Sequence, residues 1–455
     1  MSIRGIVAFI AALTLSAAQL PAAQPAAGRI EGRHAGGAPW VIDIPANWNG
    51  TLLLYAHGYS PAVDLRPPES APRGLRDWLL ANNYALAASA YTAGGWAVEE
   101  APRDQLEVLR AFTERVGAPR RTIAWGSSMG GLVSLAMAER APALISGALP
   151  LCGSVSGSLG MLNTALDGAF AFQTLVAPGA GIRVTGVDDD RLNAARVQRA
   201  LDAAWQSPSG RARVMLAAAL AQLPAWSDPQ AAEPASADVD ATAEQIRRTF
   251  VAGVFVPRTD QERRAGGIYG WNTGIDYRAL LRRAQLAPLV RRLYAQAGVS
   301  LDADLAILNA APRIAANTSS VAYMRANFVP TGAWRVPVLT LQTTGDGLTV
   351  PSTHGALAEL TRRAGRSAQL AQLWVHGAGH CTLTPAETAA ALATLEQRLD
   401  TGRWSIKPRD VAARAPDLAG ERRFVDYKAA AQLRVCGARA GSCAGEPAPT
   451  PEAHQ

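Results

Sequence analysis

Short runs of apolar residues alternate along the chain with segments whose apolar positions recur every three or four residues. Near-continuous apolar runs are typical of strands buried on both faces, and the longer period is typical of helices that cover a sheet. The pattern therefore predicts an α/β fold with a mainly parallel sheet covered by helices. The predicted strands are PWVIDIP, TLLLYAH, YALAASAY, RTIAWG, ISGALPLC, VPVLTLQTT and QLAQLWVH. The predicted helices include RGLRDWLLANN, PRDQLEVLRAFTERVG, MGGLVSLAMAERAP, HGALAELTRRAG and PAETAAALATLEQRLDTG.

This alternation stops between residues 154 and 335, which are rich in Ala, Arg and Leu and contain no convincing pair of strands. We expect this stretch to form a large, mostly helical cap inserted into the sheet-forming part of the chain. An independent helical domain is the alternative. The α/β core would then consist of residues 29–153 and 336–400. Residues 401–455, which end in GEPAPTPEAHQ, are expected to form a wrapping segment and a flexible tail.

The N-terminal residues 1–28 have the order of a secretory signal peptide: Arg4, a short apolar core, and then small residues. A buried N-terminal helix is the alternative. The apolar core is too short to span a membrane, and no later run reaches the roughly 18 apolar residues that a span requires. We therefore expect a secreted or periplasmic protein without stable membrane insertion.

The formal net charge of +7 comes mainly from scattered arginines. Without a basic run interleaved with aromatic residues, nucleic acid is not an expected partner. The acidic cluster at residues 188–190 lacks the glycine turn and the spaced ligands of a calcium loop. We interpret it as a solvated helix start, and we expect no metal.

Ser128 lies in WGSSMGG, directly after the predicted strand RTIAW and directly before the predicted helix. A serine in G-x-S-x-G between a strand and a helix is the pattern of a nucleophile elbow, a sharp turn that exposes the hydroxyl above the sheet. Side chains at Gly126 and Gly130 would clash where the two backbones pass. The alternative is that Ser128 only caps the helix.

A serine hydroxyl needs a base, and the base needs an orienting acid. Asp346 in TTGDGLTVP follows one predicted strand, and His380 in HGAGHC follows the next. The carboxyl ends of parallel strands meet at one edge of the sheet, so we expect Ser128, Asp346 and His380 to meet there as a catalytic triad. Asp346 as a plain turn residue and His376 as the base are the alternatives.

The oxyanion of acyl transfer needs hydrogen-bond donors, and we expect the backbone amides of Met129 and of Tyr59 in HGYS to supply them. His57 is expected to hold the shape of that loop rather than to act as a base. Trp96 in YTAGGWAVEE is a candidate for lining the substrate pocket, and a packing role is the alternative.

An oxidising compartment would allow the four cysteines to pair. Of the three possible pairings we favour Cys436 with Cys443 and Cys152 with Cys381. Free, buried thiols at the second pair remain an alternative.

With HGYS, WGSSMGG, TTGDGLTVP and HGAGHC in this order, the chain resembles the α/β-hydrolase family over residues 36–152 and 335–400. The combination of HGY with SMGG is similar to secreted polyester hydrolases and cutinase-like lipases, where tyrosine and methionine amides form the oxyanion hole. The pair His380–Cys381 resembles tannases and feruloyl esterases, whose cysteine bonds to a cysteine beside the nucleophile; here Ser127 occupies that place.

These residues predict a secreted serine hydrolase that cleaves carboxylic esters, either small or polymeric, through an acyl-enzyme without a cofactor. A serine peptidase of the same fold, resembling prolyl or aminopeptidases, is the leading alternative. A third possibility is a catalytically inactive relative that binds a ligand.

Overall fold

The computed structural model describes residues 26–447. The predicted signal peptide lies outside the described residues except for its last three positions, as does the end of the predicted tail. Within residues 26–447, no helix is both long and apolar enough to cross a membrane.

Nine strands form one sheet in the order β1-β2-β4-β3-β5-β6-β7-β8-β9. Strands β3 to β8 are parallel, and β1, β2 and β9 pair antiparallel to their neighbours. The strands are β1 (Gly28–Arg33), β2 (Pro39–Ile44), β3 (Thr51–Ala56), β4 (Ala85–Ser89), β5 (Arg121–Ser127), β6 (Gly147–Leu151), β7 (Val338–Gly345), β8 (Leu370–Ala378) and β9 (Phe424–Val425).

The seven apolar runs of the sequence form β2 to β8, so the predicted fold class is confirmed. Every residue of β2, β3, β4 and β6 is buried, because helices cover both faces of the sheet. The sequence patterns did not reveal β1 or β9. Strand β1 alternates exposed and half-buried residues at one edge, and β9 has only two residues, so neither carries an apolar run.

The helices fall into three groups along the chain: those between the first strands, those between β6 and β7, and those after β7. They are α1 (Arg76–Ala81), α2 (Ala101–Arg115), α3 (Met129–Arg140), α4 (Gly157–Leu175), α5 (Asp190–Trp205), α6 (Pro208–Leu220), α7 (Val239–Val254), α8 (Thr259–Ala265), α9 (Tyr277–Arg283), α10 (Ala287–Ala297), α11 (Leu301–Ala310), α12 (Thr318–Ala326), α13 (Ser352–Arg363), α14 (Pro385–Thr401) and α15 (Pro408–Ala412). A short 3₁₀ turn, Ser367–Gln369, precedes β8.

Helices α4 to α12, here called the helical segment, lie where the sequence predicted the insertion. This segment has its own apolar core, which includes Phe172, Leu216 and Phe250. Helix α4 contributes to two cores, because Leu159 and Leu162 near its start pack with the core of the sheet. Ala265 of α8 and Val321 of α12 belong to the same core, so the helical segment packs on the sheet through these helices as well as through the first turns of α4.

The C-terminal segment after α15 reaches the helical segment and is fastened to it. Arg434 and Asp167 form a fully buried ion pair, with Nη1 of the arginine 2.9 Å from Oδ2 of the aspartate. The Trp271 indole donates a hydrogen bond to the Ala444 carbonyl oxygen. A disulfide joins Cys436 and Cys443 in this stretch. Residues 434–444 are thus attached to the helical segment by buried as well as backbone contacts.

Candidate active site

Ser128 lies at the sharp turn between β5 and α3, with φ of 58° and ψ of −120°. Positive φ is strained for a residue with a side chain, so the surrounding structure must hold it. A Cβ on Gly126 would lie 2.5 Å from the Ala56 carbonyl oxygen, and one on Gly130 would lie 2.0 Å from it. Both glycines are therefore required by the close approach of β3, which explains the local G-x-S-x-G sequence.

The structure brings together the three residues that the sequence selected as a triad. Asp346 directly follows β7 and His380 follows β8, at the same sheet edge as the end of β5. The Ser128 hydroxyl oxygen lies 2.9 Å from Nε2 of His380. Nδ1 of His380 lies 2.8 Å from Oδ2 of Asp346. The side chains therefore form one continuous chain of hydrogen bonds.

Asp346 is fully buried and is held from several sides. Its Oδ1 accepts hydrogen bonds from the backbone amides of Leu348 (2.8 Å) and Thr349 (2.9 Å). The Thr349 hydroxyl lies 2.8 Å from Oδ2. These contacts fix the carboxylate towards His380. Thr349 was not among the residues predicted from the sequence, although a threonine three residues after an aspartate is a recognisable signal of such a turn.

His380 is placed to accept a proton. Burial by itself lowers the pKa of its imidazole, but the charge of Asp346 and its hydrogen bond outweigh burial and raise that pKa above the usual 6.5. A proton on Nδ1, shared with Asp346, leaves the lone pair of Nε2 directed at Ser128. The arrangement is thus suited to general-base activation of the serine.

A disulfide between Cys152 and Cys381 lies next to this chain of hydrogen bonds. It joins the residue after β6 to the residue after His380, and Sγ of Cys381 lies 3.5 Å from Nε2 of His380. Both cysteines have positive φ, 42° and 57°. The bridge therefore holds two strained turns together beside His380. Both favoured cysteine pairings are present in the structure.

The loop after β3 lies against the serine. A Cβ on Gly58 would lie 3.3 Å from the Cβ of Ser128, so the backbone of this loop passes close to the serine. The next backbone amide along the loop is that of Tyr59. Met129 is the first residue of α3, where backbone N–H groups lack partners within the helix. These are the two amides that the sequence selected for the oxyanion, and their role stays a prediction. The Tyr59 side chain itself is 40% exposed.

The other histidines in the motifs lie outside the hydrogen-bond chain. His57 stacks on Tyr91 with 3.9 Å between ring centroids, and its Nδ1 lies 2.7 Å from the Gly58 carbonyl oxygen. Burial lowers the pKa of His57, which suits a neutral ring that shapes the loop. His376 is exposed and pairs with Glu233 at 3.0 Å.

Trp96 is buried, and its indole N–H donates to the Ser158 hydroxyl at 2.9 Å. This contact packs it between the sheet and α4, and a role in substrate binding stays a prediction. At the acidic cluster, Asp189 caps α5 by accepting a hydrogen bond from the Leu192 amide, as a helix start should. Within residues 26–447, the one group with the spacing of metal ligands is His34, Asp104 and Glu107, which lies outside the triad.

The helical segment packs on the loops that carry Asp346 and His380. A Cβ on Gly345, just before Asp346, would lie 2.1 Å from the Trp226 carbonyl oxygen. A Cβ on Gly379, just before His380, would lie 2.9 Å from the Pro229 ring. The glycines in TTGDG and HGAGH therefore allow the helical segment to approach the site closely.

The chain has clear sequence similarity to a known hydrolase. No protein-family model matches the chain. The chain is 29% identical over 428 residues to the o-phthalyl amidase of Xanthobacter agilis, a match covering 86% of this chain and 92% of the relative. The part left unmatched is shorter than the helical segment, so the similarity includes some of that segment as well as the sheet.

Solved structures show lower similarity. Candida antarctica lipase A has a TM-score of 0.40 at 15% identity, covering 84% of this chain and 77% of the lipase. The proline iminopeptidase of Mycobacterium smegmatis has a TM-score of 0.38 at 12% identity, covering 83% of this chain and 100% of the peptidase.

Proposed function

We propose that this chain, which has the α/β-hydrolase fold, is a serine hydrolase that cleaves carboxylic esters through an acyl-enzyme on Ser128. The observation that carries the proposal is the unbroken hydrogen-bond chain from the Ser128 hydroxyl through His380 to the fully buried Asp346. A strained turn, two close-packed glycines and a disulfide maintain this arrangement. Backbone strain that is maintained at one site by the surrounding structure favours a catalytic role over passive ligand binding.

In the proposed reaction, the Ser128 oxygen attacks the ester carbonyl carbon while Nε2 of His380 takes the hydroxyl proton. Asp346 stabilises the resulting imidazolium and keeps the ring oriented. The amides of Met129 and Tyr59 bind the oxyanion of the tetrahedral intermediate. His380 then returns the proton to the departing alcohol oxygen. Water repeats the same steps on the acyl-enzyme and releases the acid.

The first test compares Ser128→Ala with Ser127→Ala on 4-nitrophenyl butyrate. Ser127 is a matched control, because it neighbours Ser128 and its hydroxyl lies 3.3 Å from that of Tyr55 rather than on His380. We expect Ser128→Ala to lower kcat by about four or more orders of magnitude and Ser127→Ala by less than about tenfold. Equal losses in the two variants would refute the assignment of Ser128.

Amide hydrolysis is the second candidate, favoured by the 29% identity to a protein named o-phthalyl amidase. The same hydrogen-bond chain serves both bonds, since His380 would return the proton to the leaving nitrogen of an amide as it does to the leaving oxygen of an ester. The two candidates are separated by 4-nitrophenyl esters and 4-nitroanilides that carry the same acyl group: acetyl, butyryl or phthalyl. We expect each ester to be cleaved faster than the anilide with the same acyl group. Faster cleavage of the phthalyl anilide than of the phthalyl ester would instead favour amide hydrolysis.

A peptidase that recognises a free amine needs an uncompensated carboxylate near the site. In the helical segment, Asp228 pairs with Arg248 at 2.9 Å and Asp260 pairs with Arg264 at 2.9 Å. Neither of these two carboxylates is therefore free to bind a substrate amine. We therefore expect aminoacyl anilides to be poorer substrates than acyl anilides, and the reverse order would favour the peptidase.

We further propose that the protein is exported, and that its substrate is a small or polymeric ester rather than nucleic acid. The two disulfides support an oxidising compartment. N-terminal sequencing of the protein from its native host should find the chain cleaved near residue 28. A mature protein that retains Met1 would refute export by this route.

A further inference from the structure

The loop that carries Tyr59 is fastened to a second loop, residues 94–96. Ser60 and Gly95 form an isolated β-bridge, in which the Gly95 amide donates to the Ser60 carbonyl oxygen at 2.7 Å. The contact is tight, because a Cβ on Gly94 would lie 2.5 Å from the Cα of Ala62. The position of the Tyr59 amide therefore depends on where residues 94–96 are held.

Residues 94–96 are in turn held by helix α8 of the helical segment. Oδ2 of Asp260 accepts a hydrogen bond from the Trp96 amide at 2.7 Å. Nη2 of Arg264 donates to the Gly94 carbonyl oxygen at 2.6 Å. Nε of Arg264 also donates to Oδ2 of Asp260 at 2.9 Å, so the two side chains act as one clamp.

The clamp leaves no room for a side chain between the loop and the helix. A Cβ on Gly95 would lie 2.0 Å from Oδ2 of Asp260, and its φ of 76° also favours glycine. Arg264 is fixed further by the Glu100 carboxylate, 2.8 Å from its Nη1. Burial tends to raise the pKa of Asp260, but the Trp96 amide and the Arg263 and Arg264 guanidinium groups outweigh burial and lower that pKa.

We propose that Asp260 is a positioning residue for the hydrolysis: through Trp96, Gly95 and Ser60 it holds the Tyr59 amide at the oxyanion site beside Ser128. This inference rests on the proposed function. A helix outside the sheet would then set the geometry of half of the oxyanion hole. Loss of one such donor elsewhere lowers kcat by about a hundredfold or more, and a displacement of about 1 Å has a comparable effect.

The test uses Asp260→Ala, Asp260→Asn and a matched control, Glu244→Ala. Glu244 accepts hydrogen bonds from Arg247 and Arg248, three and four residues later, as Asp260 does from Arg263 and Arg264. The control therefore loses the same kind of ion pairs on another helix of the segment. Asp260→Asn keeps an oxygen that can accept the Trp96 amide, whereas Asp260→Ala does not.

The measurements are kcat and KM for 4-nitrophenyl butyrate, the rate of fluorophosphonate labelling, and the melting temperature. We expect Asp260→Ala to lower kcat and the labelling rate by about tenfold to a hundredfold with KM changed by less than about threefold. Asp260→Asn should recover most of kcat, and Glu244→Ala should keep it. If Asp260→Ala does not fold, Arg264→Met, which removes the bond to Gly94, is compared with Arg248→Met in the same way.

The outcomes separate this inference from the proposed function. An active wild type with kcat of Asp260→Ala equal to that of Glu244→Ala overturns the positioning role alone. Equal losses of kcat in Asp260→Ala and Asp260→Asn also overturn it, because an oxygen that accepts the hydrogen bond from the Trp96 amide would then make no difference to the rate. A wild-type protein that neither cleaves esters or amides nor reacts with the fluorophosphonate overturns both.

Discussion

Removing the disulfide between Cys152 and Cys381 should affect stability and catalysis together. The two cysteines are 229 residues apart in sequence, so their bridge closes the whole helical segment together with β7 and β8 into one loop. In the chain-entropy view, a loop of this length stabilises the folded state by about 5 kcal/mol relative to the unfolded chain. We expect Cys152→Ser/Cys381→Ser to lose stability of that order.

The same change should disturb the positions of Asp346 and His380. Cys381 directly follows His380, and the Cys152 carbonyl oxygen lies 3.0 Å from the Thr349 hydroxyl, which also contacts Asp346. Both ends of the bridge therefore border the hydrogen-bond chain. A displacement of His380 by about 1 Å can lower the rate by about a hundredfold, so we expect a loss of kcat of about tenfold or more.

The second disulfide supplies the control. Cys436 and Cys443 are 7 residues apart, and a loop this short is worth about 2 to 3 kcal/mol in the same treatment. Urea unfolding followed by tryptophan fluorescence measures stability, and initial rates on 4-nitrophenyl butyrate measure kcat. We expect Cys436→Ser/Cys443→Ser to unfold somewhat earlier in urea and to keep its kcat.

A free energy of unfolding of Cys152→Ser/Cys381→Ser within about 1 kcal/mol of the wild-type value would refute the predicted role of the bridge. It would also be refuted if this variant kept full kcat under conditions in which it is folded. In that case the bridge would not position His380.

Three further predictions follow from buried charged and titratable groups. Arg434→Met should destabilise the fold by about 3 to 5 kcal/mol in chemical denaturation, because it leaves Asp167 buried without its partner; adding Asp167→Leu should restore most of the loss. Activity should fall as His380 becomes protonated, with a midpoint above pH 6.5 in the pH profile of kcat/KM, and Asp346→Asn should move that midpoint down while lowering kcat. Burial lowers the pKa of His354 to about 3, so the unfolded chain binds a proton between pH 6.5 and 3 that the folded chain lacks. Stability should therefore decrease by up to about 5 kcal/mol as pH falls through that window, and His354→Gln should flatten the decrease in acid titrations.

The sequence could identify those parts of the site that depend on neighbouring residues. The glycines around Ser128 follow from a single tight turn, and Asp346 and His380 lie one and two residues after strands that are visible as apolar runs. Because parallel strands end at one edge, their meeting could be predicted without knowing the packing of any helix.

Other features depend on contacts between distant parts of the chain, which local patterns do not encode. Asp260 and Trp96 are 164 residues apart, and Arg434 and Asp167 are 267 residues apart. Their pairing is decided by how the helical segment packs on the sheet. Periodicity predicts that these helices exist, but it does not specify which of their many charged residues face inward.

Glycines indicate close packing at several places in the sequence, but the prediction of close packing was limited to the glycines around Ser128. The glycines beside Asp346 and His380, and Gly95 in YTAGGW, all lie where another backbone or side chain approaches within the space of a Cβ. A glycine next to a candidate site residue therefore marks a place where a distant segment packs. At Gly345, Gly379 and Gly95, this rule would have indicated that another part of the chain packs closely against the site.

In the proposed hydrolysis, Ser128 is the nucleophile of acyl transfer. The most direct test of this role is reaction of the folded protein with a fluorophosphonate, followed by intact mass measurement and peptide mapping. We predict a single adduct on Ser128, absent from Ser128→Ala and formed more slowly in Asp346→Asn. A protein that stays unmodified, or that carries its adduct on Ser127 instead, would contradict the assignment of Ser128 as the nucleophile.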